Sequence, residues 1–583
     1  LKRSKRRAGT GAGTEGTQPG RRARARAPRP MVAGEGAGGG SWSAVSADVP
    51  LPRSASGHVG VWPLDEHNVR LLDCVHPRGW ANPARPPDFV YDLVAVGAGA
   101  GGLVSAKQSA RRGARSALIE QHLAGGDCLN VGCVPSKALL RCARAIAEQR
   151  RGELGLEAPA PGGAGGSAQF PKIMERMRRL RAQIAPVDSH DATAKAGADM
   201  YVGQAVFTGP HELAVGGQTL RFRKAVIASG GRAKVPPIPG LAAAPFLTNA
   251  TLFNLTELPP RFAVLGGGPI GLEMAQAFRR FGSQVTVLEA MDRILPPEDA
   301  EAAATIRRAF EDEGIRVLAG VTVRSVGHTA GSPWPEIRIS VALPGAREGA
   351  AQDDVVVCDA LLVATGRAPN VEGLGLEAAG VEFKPGVGVR VNDDLTTSNP
   401  DILAVGDVID RPEFRFTHMA GTMAGMAVQT ALFDGDGLPV NAPSTRLSDL
   451  VVPRCTYTEP EVASCGIASE QAAAARGVEV DAYTARLDDN DRAILEGAAP
   501  GGFVRVICRR GSDEVLGATV VAERAGDMLA ELTLAVQHRV GLAAVARTVH
   551  PYPSMGEAVQ QCALQYNRAR WETLPAKRAR LDA

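Results

Sequence analysis

An apolar run, YDLVAVGAGAGG from Tyr91 to Gly102, ends in the spacing Gly97, Gly99, Gly102, and the next apolar run, SALIE, closes on Glu120, 23 residues after the first glycine. The arrangement returns 169 residues later: RFAVLGGGPIGLEMAQAFRRFG, Arg261 to Gly282, carries Gly266, Gly268 and Gly271, and SQVTVLE closes on Glu289, again 23 residues on. A glycine turn between a strand and a helix lets the main chain approach a pyrophosphate, whose charge rests on the helix N-terminus. The acid at the end of the following strand accepts ribose hydroxyls. One such triplet carries little weight in a chain with 67 glycines. The flanking strand and helix and the correctly spaced acid, twice over, predict two Rossmann-like dinucleotide-binding domains in an α/β protein. Glu289 suits a free 2′-hydroxyl and repels a 2′-phosphate, which favours NAD over NADP, and Arg293 softens that preference.

At 583 residues the chain is long enough for about three or four domains. The last 120 or so residues change texture, with strands such as GGFVRVICRR and EVLGATVVA followed by helices from Asp527, which predicts a separate α+β domain. The net charge of +3 is concentrated in residues 1–40, where ten Lys or Arg face two acids. That basic stretch lacks the interleaved aromatics of a base-stacking surface, so no nucleic-acid partner is expected. No run of about 18 uncharged apolar residues occurs, which argues against a membrane-spanning helix. Residues 1–58 and the Ala158–Gly166 stretch APAPGGAGG are too poor in apolar pattern to order themselves. The first resembles in composition an organelle transit peptide, with a solvated tail as the alternative and Met31 as a candidate start. Seven of the nine cysteines lack a close partner, which points to a reducing compartment, cytoplasmic or organellar.

The other two stand together. GGDCLNVGCVPSK, Gly125 to Lys137, places Cys128 and Cys133 five residues apart. At the opening of a helix such a pair can meet the roughly 4.4–6.8 Å Cα separation of a disulfide if the turn is distorted. Gly125, Gly126 and Gly132 permit that distortion. A helix N-terminus also favours the thiolate, the reactive form in thiol exchange. Zinc is disfavoured, since no second cysteine or histidine pair stands at ligand spacing, and no metal site is expected. Two inert buried cysteines are the alternative.

The segment is similar to the redox-active disulfide motif of the FAD-dependent pyridine nucleotide-disulfide oxidoreductases, the family of dihydrolipoyl dehydrogenase, glutathione reductase and mercuric reductase. The resemblance runs from about Pro87 to Trp571, with VATGRAPN (Val363 to Asn370), DILAVGDV (Asp401 to Val408) and YTEPEVASCG (Tyr457 to Gly466) in family order. It implies an FAD domain in two pieces, 87–258 and 386–445, an inserted NAD(P)H domain, 259–385, and a dimerisation domain, 446–572. Residues 59–86 are then a linker and 573–583 a tail. By the same resemblance Gly97, Gly99, Gly102, Glu120, Lys137, Gly230, Gly406 and Asp407 hold FAD. Gly266, Gly268, Gly271, Glu289 and Gly366 meet NAD(P)H, and Lys137 and Glu273 lie near the flavin. Cys133 faces the flavin as the charge-transfer thiolate, and Cys128 meets the substrate. A homodimer is implied, with the C-terminal segment of one chain completing the disulfide site of the other.

That C-terminal segment, TVHPYPSMGEAV from Thr548 to Val559, departs from the family pattern. Alignment on Pro553 and Glu557 puts Tyr552 where disulfide reductases of the family carry a histidine base, and displaces His550 by two residues. Tyrosine titrates near ~10 and histidine near ~6.5, so Tyr552 is a poor base at neutral pH. His550 is either its substitute or a structural histidine. A tyrosine there resembles mercuric reductases, and MERMRRLRAQIAP and VHPRGWANPARPP resemble a mercuric reductase-like branch. Read as an amphipathic helix, the first turns Ile173, Met177, Leu180 and Ile184 inward and leaves its arginines solvated. The vicinal C-terminal cysteines and the N-terminal CxxC domain that serve Hg(II) have no counterpart here; the chain ends AKRARLDA, and its last cysteine, Cys562, falls on a predicted helix. The expected function is transfer of electrons from NAD(P)H through FAD and Cys128/Cys133 to an unassigned small-molecule or metal-ion acceptor. Dihydrolipoyl dehydrogenase and mercuric reductase proper are the alternatives among enzymes. A non-catalytic flavoprotein subunit is the alternative of another class.

Overall fold

The computed structural model describes residues 60–152, 169–344, 354–433, 446–498 and 500–573. The expectations for residues 1–58, for Ala158–Gly166 and for the tail beyond residue 573 lie outside these. Both glycine signatures join a buried strand to a helix. Val90–Val96 is apolar along most of its length because neighbours cover both faces, and it pairs in parallel with Ser116–Glu120 on one side and Gln218–Ile227 on the other. Gly97 leaves this strand at φ 99°, where a Cβ would come within 2.4 Å of Ala228 O. On the helix Ala100–Arg111, a Cβ at Gly102 would meet Gly97 O at 1.7 Å. Only glycine lets this helix start against its own strand.

The second copy repeats the plan. Arg261–Leu265 lies between Gln284–Glu289 and Ala360–Val363, all parallel, and a Cβ at Gly271 would stand 2.2 Å from Gly266 O. Pro269 opens the following helix, Pro269–Phe281, at a position where its missing N–H costs nothing. After the second sheet, Ile402–Ala404 returns to pair in parallel with Gln218–Ile227 of the first. The C-terminal part is a five-stranded antiparallel sheet in the order Arg454–Thr456, Glu461–Gly466, Val515–Ala522, Phe503–Arg509, Val480–Arg486. The helices Ala525–Gln537 and Glu557–Thr573 pack on it.

Three expectations are corrected. The strand Phe246–Leu247 pairs with Ala360–Val363 in the second sheet, so that sheet starts before the boundary drawn at 258. Residues 59–86 are more than a linker. They contain the helix Glu66–Val75, N-capped by Asp65, with Asn68, Leu71, Leu72 and Val75 buried. On the helix Phe170–Ile184, Ile173 and Met177 face inward as expected, but Ile184 is exposed and Arg178 and Arg181 are buried. Asp65 and Asn68 approach that face of the helix and give both arginines polar partners.

Candidate active site

Cys128 lies on the short helix Gly126–Val131, and Cys133 begins the helix Cys133–Arg151. Gly132 breaks the chain between them with φ −142° and ψ −115°, and a Cβ there would stand 2.7 Å from Asp127 O. Both sulfurs are thiols. Cys133 Sγ lies 3.4 Å from Thr417 Oγ1, at the first residue of the helix Thr417–Leu432. Two helix N-termini therefore point at one sulfur, a field that favours negative charge. The Cys128 thiol donates to Cys133, and with Thr417 and the Lys137 ammonium it outweighs burial and brings Cys133 down to about 6. The same hydrogen bond and burial push Cys128 well above the ordinary thiol range.

One turn beyond Cys133, Lys137 Nζ donates to both oxygens of Glu273, at 2.8 and 3.0 Å. Glu273 is 4% exposed, and the Tyr457 N–H also donates to it at 3.2 Å. The Tyr457 ring covers the ammonium at 4.3 Å. This joins the helix after the first cysteine segment, the helix after the second glycine turn and the C-terminal domain.

Behind the cysteines runs a cleft whose walls include Gly97, Gly99, Glu120, Cys128, Gly230 and Asp407. Its rims carry no side chains at the narrowest points: a Cβ on Gly126 would come 2.8 Å from Gly99 Cα, while one on Gly230 would meet nothing. A phosphate-bearing ligand can therefore approach main-chain N–H groups directly, which fits a dinucleotide. Glu120 accepts from Ala98 N–H at 2.6 Å and His122 N–H at 2.8 Å. Burial pushes its carboxyl up against the pull of those groups. Glu289 makes the matching pair of contacts, with Gly267 N–H at 2.5 Å and Met291 N–H at 2.7 Å. Arg293 turns away, donating to Glu298 O and Pro296 O. Gly268 and Gly366 each face open space where a side chain would stand.

Several neighbours escaped sequence reading. Arg367 bridges Asp407 (2.8 Å) and Asp127 (2.7 Å), tying the residue before Cys128 to the turn Gly406–Val408 that follows the strand Ile402–Ala404. Burial would lower its guanidinium, but the two carboxylates hold it up. Thr417 and Asn249 are likewise distant in sequence from the cysteine segment that they contact, and no local motif marks them; Tyr457 and Arg181 fall within quoted motifs that do not reveal these contacts.

The C-terminal candidates gather elsewhere. Tyr552 is 72% exposed and its hydroxyl donates to Asp491 at 2.7 Å, which raises the phenol further. His550 Nε2 lies 3.0 Å from Glu531, and Glu557 accepts from Ser554 N–H at 3.2 Å. These hydrogen bonds stay within the C-terminal domain.

The sequence profile of the pyridine nucleotide-disulphide oxidoreductases matches residues 91–431, and that of their dimerisation domain matches residues 452–563. The chain is 31% identical to a mercuric reductase of Lysinibacillus sphaericus over 524 residues, covering 90% of this chain and 91% of the relative. It is 33% identical to a dihydrolipoyl dehydrogenase of Thermus scotoductus over 481 residues, 81% of this chain and 96% of the relative. Among solved structures, the Cu(II) complex of the HOCl-induced flavoprotein disulfide reductase RclA from Escherichia coli superposes with a TM-score of 0.70 at 26% identity. That match covers 82% of this chain and 99% of the other.

Proposed function

Because the chain belongs to the pyridine nucleotide-disulphide oxidoreductase family, and is an FAD-dependent enzyme using NAD(P)H, we propose that Cys128 and Cys133 are its redox-active pair and pass electrons to a thiol-reactive acceptor, a disulfide or a soft metal ion. Bound FAD supplies the two-electron relay between nicotinamide and sulfur. The chain supplies the rest. On accepting two electrons the Cys128–Cys133 bond opens, Cys128 takes the proton and Cys133 keeps the charge. The observation that carries this assignment is geometric: the break at Gly132 sets Cys128 and Cys133 on adjoining helix ends, and Cys133 Sγ lies 3.4 Å from Thr417 Oγ1. Cys128 is then the sulfur that meets the acceptor.

Gly97, Gly99, Gly102, Glu120, Gly230, Gly406 and Asp407 are assigned to FAD, and Gly266, Gly268, Gly271, Glu289 and Gly366 to NAD(P)H. The Lys137–Glu273 pair would hold fixed charge beside the bound flavin. The nicotinamide domain, entered before residue 258, is inserted into the FAD domain. The chain carries the family's dimerisation domain; in the homodimer, Tyr552 and Glu557 of one chain serve the pair of the other. Among the described residues no helix is long and apolar enough to cross a membrane. With its hydroxyl proton committed to Asp491, Tyr552 offers lone pairs outward and suits a cationic acceptor. The His550–Glu531 contact favours a second candidate, oxidised lipoamide, since a carboxylate-backed histidine is suited to carry the proton that its disulfide takes up on reduction to the dithiol.

The deciding experiment is steady-state oxidation of NADH and NADPH by the FAD-loaded chain against oxidised lipoamide, glutathione disulfide, Hg(II), Cu(II) and a quinone. Turnover with a quinone alone, unaffected by loss of the cysteines, removes the proposal. Glu289 also predicts the nucleotide. NADH should show a KM about tenfold below that of NADPH, and Glu289→Ala should narrow the ratio to about twofold, mostly through KM for NADH. Equal KM values in the parent would contradict this.

A further inference from the structure

The break that brings Cys128 and Cys133 together ends the helix Gly126–Val131 early and leaves its last carbonyls without intrahelical donors. Two distant side chains supply them. Asn249 Nδ2 donates to Val131 O at 3.3 Å, and Arg181 Nη1 donates to Asn130 O at 2.6 Å. Arg181 is 1% exposed. Its other terminal nitrogen donates to Asn68 Oδ1 at 2.7 Å, and its Nε has no partner among the described residues. Burial therefore brings this guanidinium down to about 10. A cation held at such depth by neutral oxygens is a costly way to fill space, and an apolar side chain would pack better. What the planar fork adds is geometry, since two donors in one rigid group reach both oxygens together.

The far end of this relay is equally fixed. Asn68 is fully buried on the helix Glu66–Val75; its Nδ2 donates to Pro63 O at 2.7 Å and its main-chain N–H to Asp65 at 2.9 Å. Asp65 in turn accepts from Arg178. The same N-terminal segment holds the approach to the cysteines. Ala124 N–H donates to Val75 O at 3.0 Å, and His76 Nδ1 lies 2.6 Å from His122 O. Asn130 Nδ2 closes the loop by donating to Ala124 O and Gly126 O. The helix Glu66–Val75, ahead of the profile-matched 91–431, thus reaches the peptide between the two sulfurs through Arg181, and with His76 it holds the approach at His122 and Ala124.

We propose that Asn68 and Arg181 are positioning residues for the cysteine pair: by holding Asn130 O they keep the helix break open and set the Cys128–Cys133 geometry, which makes the N-terminal segment a working part of the redox site. This rests on the assignment of the pair as redox-active.

The test uses the full-length, FAD-loaded chain after reduction. Iodoacetamide alkylation is followed against pH and mapped by peptide mass spectrometry to Cys128 and Cys133, with the thermal midpoint recorded alongside. Asn68→Ala and Arg181→Lys should each move the low-pH midpoint of thiolate reactivity up by about half a pH unit, roughly a threefold loss of rate at pH 5. A folded Asn68→Ala or Arg181→Lys with the parental profile overturns the proposal, whatever its thermal midpoint; if Asn68→Ala does not accumulate, Asn68→Ser decides on the same readout. A parent that shows no gain of two alkylatable thiols on reduction fails the redox assignment instead, a distinct result.

Discussion

Cys133→Ser is expected to lower acceptor-linked NAD(P)H oxidation by on the order of 10³-fold or more while leaving FAD bound. A serine hydroxyl forms no disulfide, and its proton is far too tightly held for the two helix N-termini and Lys137 to remove. The cleft behind the pair keeps its glycine rims and Glu120, so flavin content and absorbance should stay at the parental level. Cys128→Ser should lose acceptor turnover to a similar degree, but for another reason. Its hydroxyl still donates to Cys133, so the thiolate survives and alkylation of Cys133 should keep the parental midpoint, below the ordinary thiol range. The sign follows from the charge: reactivity of Cys133 rises as pH climbs through that midpoint and is flat by pH 8, where an ordinary thiol is still gaining. Undiminished turnover in either variant, measured with the acceptor that the parent uses best, would refute the assignment of the pair.

Arg280→Met is expected to destabilise the folded chain by about 3 kcal/mol, because it takes from a buried carboxylate its most buried arginine partner and leaves Arg151 alone to compensate it. Arg280 and Glu459 are 5% and 9% exposed. Arg280, from the helix Pro269–Phe281, donates to Glu459 at 2.6 Å and to Glu313 at 2.6 and 2.9 Å. Arg151, from the helix that Cys133 opens, donates to the other Glu459 oxygen at 2.6 Å. The first domain, the second domain and the C-terminal domain meet at this one carboxylate. Burial alone would raise Glu459, yet Arg280 and Arg151 outweigh it and hold the carboxyl below its usual range. A lowered folded-state pKa stabilises at pH above the usual carboxylate value of ~4.3 and stops doing so as pH falls through the lowered one. In Arg280→Met the desolvated Glu459 takes up a proton more readily than in the parent. The stability gap between the two proteins, read from urea unfolding, should therefore be widest near pH 7 and narrow below about pH 5. A gap that is constant with pH would mean that lost packing, and not the buried charge, sets the cost.

What was legible in the sequence was local. The two glycine turns with Glu120 and Glu289 are visible because a strand, a turn and a helix read the same wherever they occur, and the acid lies a fixed strand length away. Cys128 and Cys133 are visible because five residues and a glycine suffice to state their geometry. Their acidity is not, for it depends on Thr417, 284 positions away, and on Lys137, whose partner Glu273 lies 136 positions on. The helix Phe170–Ile184 makes the same point in reverse. Its pattern predicts solvated arginines, and Arg178 and Arg181 are buried because another segment brings Asp65 and Asn68 to them. A periodicity records which side of an element is apolar, but not which neighbour will come to cover its polar side.

The amino-acid sequence by itself thus determined the two nucleotide folds, their order and the sulfur pair, since each is encoded by residues within one supersecondary unit. Only the tertiary structure decided which distant groups surround the sulfurs, how the helix break is propped and where the three domains lock. Those properties arise from fields and hydrogen bonds between groups that the chain brings together only when it is packed.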